Sequence, residues 1–102
     1  MDRSYQQLDT LLHQPARLSI MAALAAAQEV EFAVLKDTIN ISDSLLSRYI
    51  GILEDAKYIH VRKGHVGKRP RTWLSLTATG RKAFSEYVET LRKIVGHNIG
   101  SA

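Results

Sequence analysis

Four residues, Ile39-Asn40-Ile41-Ser42, leave this chain little choice of fold, because they end one helix and begin another. Asn40 tolerates the left-handed backbone that a tight turn needs. Ser42 can accept a hydrogen bond from the backbone N–H of Leu45, and Ile41 can pack on Leu46, which gives an N-cap with a hydrophobic staple. A helix over about 33–39 therefore meets a helix over about 43–56. The second carries Leu46, Tyr49, Ile50 and Leu53 on its inner side. Its outer face is polar and small: Asp43, Ser44, Ser47, Arg48 and Gly51. Two helices joined by so short a turn form a helix-turn-helix.

The flanking segments fill out an α+β domain, mainly α with a small β-hairpin. Tyr5, Leu8, Leu11 and Leu12 stand at helical spacing, predicting a first helix over 3–13. Pro15, suited to a first helical turn, opens a second that ends near Ala27, with Leu18, Ile20, Met21 and Leu24 on its buried side. Glu29-Val30-Glu31-Phe32 alternates just long enough for a short strand at a sheet edge. Residues 58–63 and 72–77 alternate as two antiparallel strands. Between them Gly64-His65-Val66-Gly67-Lys68-Arg69-Pro70-Arg71 combines two glycines, a proline and three cations, and reads as an extended, positively charged tip, a wing. Thr77 caps a last helix over about 78–95, ended by Gly96. Its stripe of Phe84, Tyr87, Val88, Leu91, Ile94 and Val95 exceeds what so small a core requires. Those residues, with Tyr5, Leu8 and Leu12 of the first helix, are the expected contact with a second copy.

At 102 residues the chain is one domain, 1–102, and a second copy would help it bury apolar surface. The net charge of +4 is modest but unevenly placed. Residues 56–85 hold no acid and eight of the fourteen basic side chains, so a polyanion is the natural partner, against the plainer reading of a solvated basic face. The absence of cysteine excludes disulfides, thiol catalysis and thiolate zinc sites, and fits a reducing, cytoplasmic setting. No membrane anchor is expected, since the longest apolar run, Ile20 to Ala27, has eight residues and a bilayer span needs about 20. Neither a nucleophile elbow nor a phosphate-binding glycine loop is present, so no catalytic residue is assigned and an enzyme is not expected. His13, His60, His65 and His97 lack ligand spacing, and no metal or cofactor is expected.

Three motifs carry a resemblance. Leu45-Leu46-Ser47-Arg48-Tyr49-Ile50-Gly51-Ile52-Leu53-Glu54 is similar to the recognition helix of the MarR/ArsR-like winged helix-turn-helix regulators. Leu76-Thr77-Ala78-Thr79-Gly80 matches the leucine-threonine-x-x-glycine that follows their wing, and His13-Gln14-Pro15-Ala16-Arg17 resembles the opening of the second helix in small members. The similarity covers roughly positions 8 to 95. Departures are Gly51, where members often carry a polar or basic side chain, Lys57, where they usually have glycine, and Ala33, where a capping Ser or Thr is common.

The resemblance implies a sequence-specific regulator binding double-stranded DNA as a homodimer, most simply a repressor. The major groove admits an α-helix and is read by short polar residues with a reaching donor, which suits Ser42, Asp43, Ser44, Ser47 and Arg48. Arg48 either bonds bidentately to guanine or touches phosphate. Asp43 either accepts from cytosine or simply favours the helix dipole. Lys63, Lys68, Arg69 and Arg71 are the expected wing contacts to backbone or minor groove. Two other readings stay open: a winged helix that binds another protein, and a sequence-blind architectural DNA binder. No effector is implied.

Overall fold

The computed structural model describes residues 8–99. Its elements are α1 (Pro15–Ala25), β1 (Val30–Glu31), α2 (Phe32–Ile39), α3 (Asp43–Asp55), β2 (Ile59–Val66), β3 (Arg69–Leu76) and α4 (Ala78–Ile99). The strands form an antiparallel sheet in the order β1-β3-β2. Ile20, Met21 and Leu24 of α1, Leu35 of α2, and Leu46, Ile50 and Leu53 of α3 close one core with Ile59, Leu74, Tyr87 and Leu12. It is an α+β fold in which the sheet braces a helical core.

The turn between α2 and α3 forms as its residues dictate. Asn40 takes φ 61° and its N–H bonds to the carbonyl of Lys36, while the Ser42 hydroxyl accepts from the Leu45 N–H. At the start of α2 the cap position is Glu31, with no side-chain cap, rather than the neighbourhood of Ala33.

Three expectations about the elements are corrected. Residues 3–7 of the first predicted helix lie outside the described residues, and 8–13 form turns, not helix. Asp9 closes the turn locally: its carboxylate accepts from the Leu11 N–H and its carbonyl from those of Leu12 and His13. The hairpin tip is Gly67-Lys68 alone, since β2 and β3 stay paired out to Val66 and Arg69. Gly67 has φ +61° and Lys68 does not share that sign, the pattern of a type II′ turn that suits the right-handed strand twist. Pro70 is harmless there because His65 and Pro70 form a rung next to the turn-closing one, where the strands exchange no hydrogen bonds. Finally, α4 runs through Gly96 to Ile99, because that glycine keeps ordinary helical backbone.

Two of the residues expected at a contact between copies are in this chain's own core: Leu12 is fully buried and Tyr87 is 4% exposed. An apolar stripe records that a side chain is covered, not by which chain. Tyr5 lies outside the described residues. Leu8 and Phe84 pack partly against the core, whereas Leu91 and Val95 are exposed.

Lys57, just past α3, holds φ 68°. A left-handed non-glycine residue costs about 1–2 kcal/mol. Lys57→Gly should therefore stabilise the fold by about 1 kcal/mol, raising Tm by about 4–8 °C. Thermal melting followed by circular dichroism checks this; an unchanged or lower Tm would rule it out.

Candidate nucleic-acid interface

Recognition by α3 depends on what its outer face leaves free. Ser44, Ser47 and Arg48 are exposed, and Arg48 makes no ion pair among the described residues. Ser42 is occupied as the cap, with its hydroxyl 3.3 Å from that of Ser44. Asp43, the one acid facing outward at the first turn, is paired with Lys36 of α2 at 3.1 Å, which offsets its repulsion of a polyanion. Lys36 went unnoticed in the sequence because it belongs to the preceding helix.

The helix is held by a clasp of tyrosines, one on it, one just beyond it and one on α4. The Tyr49 hydroxyl accepts from Gln14, and the Arg17 guanidinium lies 5.5 Å from the Tyr49 ring centroid. Tyr87 on α4 bonds through its hydroxyl to His13 Nδ1 at 3.0 Å. Tyr58, directly after α3, donates to the Asp9 carboxylate. The residues before α1 thus tie the middle of α3 and the segment just past its C-terminal end to α4.

The bond to Asp9, with burial adding to it, pushes the Tyr58 phenol up to about 12. The raised value favours the protonated form in the folded state. Its contribution to stability is therefore complete below the ordinary tyrosine value of 10.0 and is lost as pH rises through about 12. In a tyrosinate absorbance titration of the folded protein, Tyr58 should ionise only at about pH 12, and Asp9→Ala should bring its ionisation down towards the ordinary tyrosine value. An ionisation that Asp9→Ala leaves in place would disprove the assignment.

The hairpin sorts its cations by face. On one face Trp73 stands opposite Glu31 of β1 and Arg62 of β2. Its ring lies under the Arg62 guanidinium, 4.1 Å from the centroid, and covers Gly64, where an added Cβ would come 3.1 Å from the ring. Glu29 accepts two hydrogen bonds from Arg62, at 3.0 and 2.7 Å. This pairing holds the Glu29 carboxyl below, and the Arg62 guanidinium above, their usual ranges. On the same face Arg71 pairs with Glu31 at 3.3 Å.

Lys63, Lys68 and Arg69 have no acidic partner within ion-pair distance among the described residues. Lys63 faces the other way, into a groove of about 440 Å³ between α3 and the hairpin, lined also by Ser47, Gly51 and Thr72. Gly51 leaves that groove open, since a Cβ there would meet nothing within 4 Å. Of the expected wing contacts, then, three are free and Arg71 is engaged. Glu29 and Glu31 were missed as partners because only the β1–β3 register brings them to the hairpin.

A helix-turn-helix whose second helix is followed by a basic hairpin and a closing helix defines a winged helix protein. A match to the winged helix DNA-binding domain family spans residues 16–95. The chain belongs to that family, and its fold is that of the MarR-like transcriptional regulators. It is 28% identical over 78 residues to an uncharacterized protein of Methanocaldococcus jannaschii, covering 76% of this chain and 85% of the other. A transcriptional regulator homologue from Pyrococcus horikoshii superposes with TM-score 0.89 at 20% identity, over 96% of this chain and 99% of that one. A MarR family regulator from Silicibacter pomeroyi gives TM-score 0.66 at 19% identity, over 92% and 62%. Among the described residues no helix is long and apolar enough to cross a membrane.

Proposed function

We propose that the protein is a cytoplasmic transcriptional repressor that binds a pseudo-palindromic operator as a homodimer. The observation that carries this reading is the exposed, outward set Ser44, Ser47 and Arg48 on α3 beside a hairpin whose tip cations Lys68 and Arg69 make no ion pair among the described residues. In this reading α3 enters the major groove, where the serines and Arg48 meet base edges or phosphate, and Lys63, Lys68 and Arg69 follow the backbone or minor groove. Ser42 and Asp43 act from behind, one as the cap and the other as the partner of Lys36. Occupancy of a promoter then represses by occlusion.

Dimerisation is supported by the shape of the chain. Its radius of gyration is 15.5 Å, against about 13 Å for a compact chain of about 100 residues. The 22-residue α4, about 33 Å long, carries exposed Leu91 and Val95 towards its far end. Phe84, Val88, Leu91, Ile94 and Val95 form the proposed contact, setting two α3 helices about 34 Å apart, one turn of B-DNA. Leu91→Asp should give monomers in light scattering; a persistent dimer would place the contact elsewhere.

Selection from a random duplex library near physiological salt tests the function. Enrichment of an inverted repeat with half-sites one helical turn apart is expected. Retention without a motif would mean sequence-blind binding, and no retention would point to a protein partner instead.

A further inference from the structure

The basic hairpin carries more arginine than it presents. Trp73 and Glu31 face each other across β3 and β1, so Glu31 lies diagonally from Arg71 on one sheet face, the position from which long side chains meet. The two side chains are 34% and 30% exposed, less open than the helix-surface pairs of α4. Glu29 makes the equivalent pair with Arg62. Two glutamates cancel Arg62 and Arg71 on that face, while Arg69, on the same face two residues nearer the tip, and Lys63 and Lys68 stay unpaired among the described residues.

Position along the hairpin decides which pair matters more. The rung of Arg71 is two residues from the tip rung Val66–Arg69, whereas that of Arg62 is four away. At about 3.4 Å per residue these are about 7 and 14 Å. The Debye length near physiological salt is about 8 Å. A phosphate met by the tip is thus within range of Arg71 and beyond that of Arg62.

We propose that Glu31 keeps Arg71 out of phosphate contact, so that the hairpin's sequence-blind attraction is limited to its three unpaired cations. This rests on the DNA-binding reading above. Sequence-blind affinity grows with every phosphate neutralised, whereas base contacts on α3 are unchanged by it. Holding one arginine back therefore lowers the phosphate-borne affinity for every duplex and its salt dependence, and leaves discrimination to α3.

The test is fluorescence anisotropy over a salt series, on a random duplex and on the library-selected one. The proteins are wild type, Glu31→Gln, Arg71→Ala, the double variant, Glu29→Gln, which frees Arg62, and Glu89→Gln as a control that removes a paired acid from α4. Glu31→Gln should tighten random-duplex binding and steepen the log-log salt slope by about 0.9. That is a fall about 3.5-fold greater between about 50 and 200 mM salt. The selected duplex should gain by the same factor as the random one, so discrimination is unchanged. In the Arg71→Ala background the same substitution should leave the slope where it was, Glu29→Gln should do less than Glu31→Gln, and Glu89→Gln should leave the slope alone.

An unchanged slope for Glu31→Gln in a protein with wild-type melting would make the pair a brace only and overturn the proposal. An equal gain in the Arg71→Ala background would make Glu31 mere bulk charge, with the same consequence. Wild type failing to bind any duplex would instead remove the DNA-binding reading itself, and this inference with it.

Discussion

Gly80→Ala should cost this protein about 3 kcal/mol or more and lower Tm by more than about 12 °C. A Cβ at position 80 would lie 2.0 Å from the Tyr58 carbonyl oxygen and 2.7 and 2.9 Å from that residue's carbonyl carbon and Cα. These are backbone atoms and cannot swing aside. Around the contact, Thr77 ties three segments together: its N–H bonds to the Tyr58 carbonyl at 3.0 Å, its hydroxyl donates to the Lys57 carbonyl at 2.6 Å, and the same hydroxyl accepts from the Gly80 N–H at 2.9 Å. Moving α4 away to admit a methyl group breaks a cap and strands these partners, at about 1 kcal/mol each, beyond the overpacking itself. Gly51 and Gly96 lie in helices with nothing within 4 Å of an added Cβ. Alanine at either should stabilise by about 0.5–1 kcal/mol, so the sign reverses among three helical glycines. Melting curves of the three variants decide it, and Gly80→Ala melting within about 2 °C of wild type would refute the clash.

The leucine-threonine-x-x-glycine motif is thus legible twice, as a family signature and as a joint whose threonine caps α4 while its glycine admits the backbone behind α3. Local devices of this kind were readable in advance: Asn40 in the left-handed turn, Ser42 as cap, Pro15 at the start of α1. Each depends on a few consecutive residues. What failed depended on partners distant in sequence. Leu8, Leu11 and Leu12 have helical spacing, yet Asp9 closes a tight turn through its side chain, and Leu12 is in the core regardless. Gly64 and Pro70 look like strand breakers, yet Trp73 covers the first and the second falls on a rung that needs no donor. The charge run over 56–85 marked the hairpin but could not reveal that Glu31 of β1 would neutralise Arg71, because that requires the register of Glu31 against Trp73. Gly96 misled for the opposite reason: glycine permits a helix to end without obliging it to.

The second large effect is expected at Arg48, and it separates reading from holding. Arg48 is exposed on α3 and makes no ion pair among the described residues, so it can reach a guanine edge, where a bidentate pair discriminates by about 1–3 kcal/mol. Arg48→Ala should therefore weaken binding to the selected operator by about 10- to 100-fold and change binding to random duplex little. Arg69 closes the hairpin turn with Val66 and faces outward there. A phosphate contact from that position carries no sequence information, so Arg69→Ala should weaken all duplexes alike and flatten the salt slope by about 1. Anisotropy titrations of both variants on both duplexes over a salt series give four affinities and their slopes. If the two variants lose equally on every duplex, Arg48 is a phosphate contact and base reading rests on the two serines. If Arg48→Ala alone erases the preference, α3 reads the operator through its single free guanidinium, and the groove left open by Gly51 takes no part in it.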